Sequence, residues 1–186
     1  NLLKFKEIAG MHEIRSGFDQ LFLENADRYY RQASSAVDLL RQAGYQELCD
    51  DSGTACICHH DLAYHNIIVA SDGCVYFVDF DLCILDLRIH DIANLIVKAV
   101  KHGGWNIEKA KAVIDGYSAV DTLDAKELQT LHAFLTFPQD FYEISRQYYM
   151  RTKRWDEDDF LGRLQRKAGY YDDRERMLLN FKDLFL

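Results

Sequence analysis

Asp61, Asn66 and Asp79 are the side chains whose types and spacing most readily do chemistry in this sequence. They fall within residues 58–91, CHHDLAYHNIIVASDGCVYFVDFDLCILDLRIHD, which read as a loop, a β-hairpin and a helix start. Asp72-Gly73 is a favoured pair for the centre of a two-residue hairpin turn. With those two residues as the loop, Ser71 pairs with Cys74 and Asn66 falls directly opposite Asp79. Directly opposed residues hold their Cβ atoms about 5 Å apart. An amide oxygen and a carboxylate then stand side by side at the open end of the hairpin. Asp61 lies in the loop that feeds the same end. Three hard oxygen groups converging there predict a Mg²⁺ site, with Asn66 and Asp79 as ligands, beside a general base, Asp61.

His59-x-Asp61, then Asn66, then a hairpin ending in Asp79 is a pattern suited to phosphoryl transfer. A γ-phosphoryl group moves with little covalent help from protein, so catalysis is positioning plus charge neutralisation. In this reading Asp61 orients the attacking hydroxyl and accepts its proton, while Asn66 and Asp79 hold Mg²⁺ bridging the nucleotide phosphates. His59 organises the loop by bonding nearby backbone. Asp91 opens a helix, where an aspartate serves as a cap, and it also braces the catalytic loop. Ile68 and Val78, one step off register across the hairpin, can floor an adenine ring, although ordinary hairpin packing asks for the same residues. Asp81 reads either as a further acid facing metal or phosphate or as a solvated loop carboxylate.

Two other chemistries draw on the same stretch. His60-Asp61 and His90-Asp91 are His-Asp dyads of the kind used by metal-dependent phosphohydrolases. Those dyads normally sit on helices, whereas His60-Asp61 is flanked by strands. A zinc site from Cys56, Cys58, His59 and His65 lacks the paired knuckle spacing of structural zinc.

The elements that must position these residues are mostly helical. Residues 17–43 carry apolar side chains at helical spacing, with Gly44 placed to cap the C-terminus. Short apolar runs at 55–58, 66–69 and 75–78 predict strands, and everything from Arg88 onward predicts helix. Ile89, Ile92, Ala93, Ile96 and Val100 form one face, ended by Gly103-Gly104. Asn106 caps a helix to about Ala119, and Asp124 with Glu127 forms a capping box for a helix to about Leu135. Pro138 fits the first turn of the next helix, and Asp156 with Asp159 caps a last long helical region.

The chain of 186 residues, 48% apolar, is long enough for a real core and reads as a single domain, 1–186. Within it, about 1–54 are leading helices, 55–91 the catalytic loop and hairpin, and 92–186 a helical subdomain. A net charge of −8 points away from nucleic acid and anionic membrane as partners. No apolar run approaches the ~20 residues of a membrane span, and the first residues carry no signal-peptide pattern. Five cysteines without framework spacing point to a reducing compartment.

HHDLAYHN, VYFVDFD and DLRIHDIANLI together resemble the CotS-type spore coat proteins, as do GGWNIEKA, FLTFPQDFY, RQYYMRTKRW and FLGRL further on. That family is similar to aminoglycoside phosphotransferases and choline kinases, within the protein-kinase-like fold. The resemblance implies an α+β, mainly α, C-terminal lobe with one small hairpin carrying the catalytic loop. It implies Asp61 as base and Asn66 and Asp79 as metal ligands. It also implies a bacterial mother-cell cytoplasm followed by the spore coat, and other coat proteins as partners. A glycine usually follows the motif histidine in the wider family; here the residue is His60. Family kinases also carry an N-terminal lobe with a phosphate-covering loop and a strand lysine. Only 58 residues precede His59, and they read as helix, so the expectation is a C-terminal lobe with the N-terminal lobe absent. The full-length protein is then expected to use ATP and Mg²⁺ on a small-molecule hydroxyl acceptor, with ATP binding weak or absent in this chain alone. The alternative is a non-catalytic coat scaffold on a kinase-like fold.

Overall fold

A computed structural model of the chain describes residues 1–186 apart from Ser52, Thr54 and His102. The leading segment forms α1 (Leu2–Met11), α2 (Gly17–Gln42) and α3 (Tyr45–Asp50). Among the described residues four short strands follow: β1 (Ala55–Cys58), β2 (Ile67–Val69), β3 (Val75–Phe77) and β4 (Ile84–Leu87), with a 3₁₀ turn at Tyr64–Asn66. Among the described residues six helices then follow: α4 (Ile89–Lys101), α5 (Ile107–Ser118), α6 (Ala125–Thr136), α7 (Gln139–Tyr149), α8 (Glu157–Gly169) and α9 (Tyr171–Phe185). The architecture is mainly helical α+β.

Local chemistry sets most helix ends. The Asn106 side chain accepts from Glu108 N–H, and Asp156 accepts from Asp159 N–H at 2.8 Å. Asp124 and Glu127 exchange bonds of 2.8 and 3.0 Å as a reciprocal capping box. Gly44 adopts φ 72°, the left-handed conformation that ends α2. The last helical region divides at Tyr170 into α8 and α9.

Among the described residues the strands form two antiparallel pairs rather than the single hairpin expected. β1 pairs with β4 from Ala55↔Leu87 to Cys58↔Ile84. β4 is only four residues long, and its partner lies far back in the chain, so no local turn announces it.

The β2–β3 hairpin departs from the expected register by one residue. Its pairs are Ile67↔Phe77, Ile68↔Tyr76 and Val69↔Val75. Ala70 N–H donates to Cys74 C=O at 2.8 Å, so Ser71, Asp72 and Gly73 make a three-residue loop. Gly73 takes φ 85°, and its N–H donates to Ala70 C=O at 3.0 Å. This is a turn followed by a left-handed glycine, the other common hairpin solution for Asp-Gly. Asp72 Oδ1 fixes it by accepting Cys74 N–H at 2.9 Å, a bond that lowers the Asp72 pKa. A single-residue shift turns side chains to the other face. Asn66 therefore lies opposite Val78, whose N–H donates to Asn66 C=O at 3.1 Å, and Asp79 is one step further on. Nothing lies within 4 Å of a Cβ built on Gly73. Gly73→Ala therefore isolates the backbone cost, an expected loss of about 1 kcal/mol in urea denaturation. An unchanged midpoint would contradict the left-handed turn.

The described residues cluster into two compact units, residues 1–37 with 136–175, and residues 38–135 with 176–186. In the first, Phe18, Phe22, Phe141, Ile144 and Leu164 are fully buried, and the Tyr29 and Phe141 rings stack at 3.8 Å. Arg174 is buried there, donating to the carbonyls of Thr136 and Phe137 at 2.8 and 2.7 Å and to Gln32. Burial lowers its pKa to about 10.

In the second unit, Leu48, Leu87 and Ile89 form an apolar cluster against Tyr45, Leu123 and Phe134, and α4 buries Ile92, Ile96 and Val100. Burial lowers the pKa of both His90 and His132 below the ordinary 6.5. The unfolded chain then takes up protons that the folded one resists. Their contribution to stability is complete above pH 6.5 and is lost as pH falls through the folded values. The urea midpoint should fall between pH 7.5 and pH 5, and less so in His132→Gln; equal slopes would exclude His132 as a source.

Candidate active site

The loop between β1 and the 3₁₀ turn is held from both sides. His59 is buried, and its Nε2 lies 2.9 Å from the carbonyl of Val78. A carbonyl only accepts, so Nε2 carries the proton. Nδ1 then accepts from Asp61 N–H at 3.3 Å. His59 is thereby a brace between the loop and the segment after β3, its ring 4.7 Å from that of Phe80.

α4 grips the other side. Asp91 Oδ2 accepts His59 N–H at 2.6 Å, and Oδ1 accepts His60 N–H at 2.8 Å. Asn94 donates to the His60 carbonyl at 3.1 Å, and Lys98 Nζ lies 3.3 Å from Asp61 Oδ1. Sequence reading found Asp91 but missed Asn94 and Lys98. The signal was present: 91, 94 and 98 follow helical i, i+3, i+7 spacing and so share one face.

Between these supports, His60 is held at φ 62°. A left-handed backbone suits glycine, which costs nothing there, better than a residue with a Cβ. This would account for the glycine that the resemblance leads one to expect at this position. The His60 ring turns toward β4, with Nε2 3.1 Å from Asp86 Oδ2 but outside hydrogen-bonding geometry. His90 Nε2 is 3.6 Å from the other Asp86 oxygen.

Asp61 and Asn66 are brought into contact. Asn66 is 3% exposed, and its Nδ2 donates to both the Asp61 carbonyl (3.0 Å) and Asp61 Oδ2 (3.1 Å). With the amide nitrogen spent on Asp61, Oδ1 is the Asn66 atom left to face a cation. Asp79 is exposed and takes φ 66°, a strained conformation for a non-glycine residue. Among the described residues no three His, Cys, Asp or Glu side chains come together as a metal site. Mg²⁺ needs no such cage, because it is commonly held by one or two protein oxygens with water and substrate phosphates supplying the rest. Asn66 Oδ1 and the Asp79 carboxylate are oxygen groups of the kinds that mode uses.

Ile68 and Val78 are 48% and 37% exposed. Ile68 is paired with Tyr76, and Val78 follows β3. A cavity of about 600 Å³ opens beside the loop, walled by Cys58, His59, Phe77, Phe80, Ile92 and Tyr117, and neither Ile68 nor Val78 lines it. Asp81 is exposed.

Arg88, just before α4, anchors that helix. Its Nε and one terminal nitrogen donate to the two Glu127 oxygens at 2.6 and 2.7 Å, and it also reaches the Thr122 carbonyl at 2.8 Å and Asp121. Hydrogen bonding to Glu127 raises the Arg88 pKa.

Over residues 4–181 the chain matches the family model described as Spore coat putative kinase YutH. Spore coat protein S of Bacillus subtilis (strain 168) is 24% identical over 193 residues, covering 98% of this chain and 54% of that protein. Among solved structures, an aminoglycoside phosphotransferase from Alicyclobacillus acidocaldarius subsp. acidocaldarius DSM 446 matches with a TM-score of 0.88 at 23% identity, over 98% of this chain and 54% of its own. A spectinomycin phosphotransferase, solved with ADP and spectinomycin, matches with a TM-score of 0.59 at 14% identity, over 92% and 55%. At these identities the structural likeness is one of fold. The chain spans about half the length of this curated relative. Among the described residues no helix is long and apolar enough to cross a membrane.

Proposed function

We propose a function from one premise: the chain belongs to the Spore coat putative kinase YutH family. In our reading, residues 1–186 are the C-terminal lobe of a kinase-like protein that is made in the mother cell and ends in the spore coat, among other coat proteins. The whole protein transfers the γ-phosphoryl group of ATP to a hydroxyl on a small or sugar-like acceptor. The observation that carries this reading is the Asp61–Asn66 contact on a loop braced by His59 and Asp91.

Asp61 is the base. Its side chain is partly exposed, and its loop backbone is fixed at His59, His60 and Asp61 itself, so an acceptor hydroxyl meets a carboxylate of defined position. Asn66 Oδ1 and Asp79 are the groups that would hold Mg²⁺, which when bound neutralises phosphate charge. Ile68 and Val78 are the candidate contacts for the adenine ring.

The test is ADP release by the full-length protein with ATP, Mg²⁺ and a panel of polyol and sugar acceptors, with ³¹P NMR to identify a new phosphomonoester. Mg²⁺-dependent product supports transfer; no product with any acceptor overturns it. A second reading, a non-catalytic coat scaffold, is favoured by His60 at a left-handed position where the wider motif places glycine. It predicts normal coat assembly by an Asp61→Asn protein and no ATP turnover by either form.

The likeness to proteins about twice as long supports the lobe reading. Nucleotide phosphates on one lobe alone lack their contacts from the other. Calorimetry on residues 1–186 should therefore show no micromolar ATP binding, and tight binding would rule out the single-lobe reading.

A further inference from the structure

We propose that Lys98 is a positioning residue for Asp61; the inference rests on the reading of Asp61 as the base. Three residues on one face of α4 hold three successive residues of the loop. Asp91 takes the backbone N–H groups of His59 and His60, Asn94 takes the carbonyl of His60, and Lys98 takes the carboxylate of Asp61. The first two contacts fix the backbone. Among the described residues, Lys98 at Oδ1 and Asn66 at Oδ2 hold the carboxylate that would receive the proton.

With both oxygens tethered, the carboxylate plane is set and the acceptor hydroxyl is received at a defined lone pair. Asn66 alone would leave Oδ1 free to swing, because one hydrogen bond does not fix a plane. The Lys98 and Asp61 side chains are 37% and 29% exposed. Ion pairs of that exposure contribute little to global stability. The contact's consequence therefore falls on the orientation of Asp61, and misplacement of a reacting group by about 1 Å costs on the order of 100-fold in rate.

The experiment compares wild type, Lys98→Met, Lys98→Arg and Asp61→Asn in the full-length protein. Lys98→Met should lower kcat about 10- to 100-fold, with the KM for ATP within about threefold and the thermal midpoint nearly unchanged. Lys98→Arg should restore most of the loss, because it keeps a cationic donor. A structural role would instead move the midpoint, or both kinetic constants together. The second readout needs no turnover: the ¹⁵N–¹H signals of the Asn66 side-chain amide should shift or broaden in Lys98→Met and return in Lys98→Arg. Unchanged kcat, or an unmoved Asn66 amide, overturns the assignment of Lys98. Turnover that survives Asp61→Asn overturns the proposed function instead, and the Asn66 amide then still decides the Lys98 contact.

Discussion

Asp61→Asn should lower phosphoryl transfer by the full-length protein by about 10²- to 10⁴-fold, the usual range for loss of a general base. The substitution is nearly isosteric and leaves the loop's main supports in place. His59 still bonds Val78 C=O and the residue-61 N–H, and Asp91 still takes the His59 and His60 N–H groups. What disappears is the carboxylate that accepts the hydroxyl proton. The measurement is ADP release at saturating ATP, with circular dichroism and thermal midpoint as controls for folding. Wild-type turnover by a folded Asp61→Asn protein would remove Asp61 from the mechanism.

Arg88→Ala should destabilise the chain by about 3–5 kcal/mol, the range for removing one partner of a buried ion pair. Glu127 is only 8% exposed and has both oxygens on Arg88, so truncation leaves its charge buried without its main counter-ion. The Asp124–Glu127 capping box does not offset this, because backbone N–H groups carry no full positive charge. Arg88→Lys should recover only part of the loss, since an ammonium cannot reproduce the two-pronged contact of a guanidinium. Urea denaturation followed by circular dichroism reads both. A loss below about 1 kcal/mol for Arg88→Ala would show that the cluster is solvated.

The features legible in the sequence are those decided within a few residues. Asn106, the Asp124–Glu127 box and Asp156 cap helices as their types require, because a cap involves only the next turn. Asp61 and Asn66 could be read as neighbours because five residues and a tight loop separate them, and a hydrogen bond joins them. The hairpin register was not legible. Asp-Gly serves both a two-residue turn and a turn ended by a left-handed glycine, and the two differ by one residue. The Asp72 Oδ1 bond and the φ of Gly73 select the second, which sets Val78, not Asp79, opposite Asn66. β4 escaped for another reason: its pairing with β1 joins segments nearly thirty residues apart and leaves no local pattern. On α4, the apolar spacing drew attention to the buried face, while the polar residues 91, 94 and 98 formed an equally regular row.

The most direct test of a nucleotide and metal site at the end of the hairpin is a crystal structure of the full-length protein grown with Mn²⁺ and a non-hydrolysable ATP analogue. Mn²⁺ stands in for Mg²⁺ and reveals itself by anomalous scattering. An anomalous peak is expected at about 2.0–2.2 Å from Asn66 Oδ1 and an Asp79 oxygen, with the nucleotide's terminal phosphate facing Asp61. Mn²⁺ held instead by His60 and His90 would contradict it and restore the phosphohydrolase chemistry, and a nucleotide bound with no metal at Asn66 and Asp79 would contradict it equally.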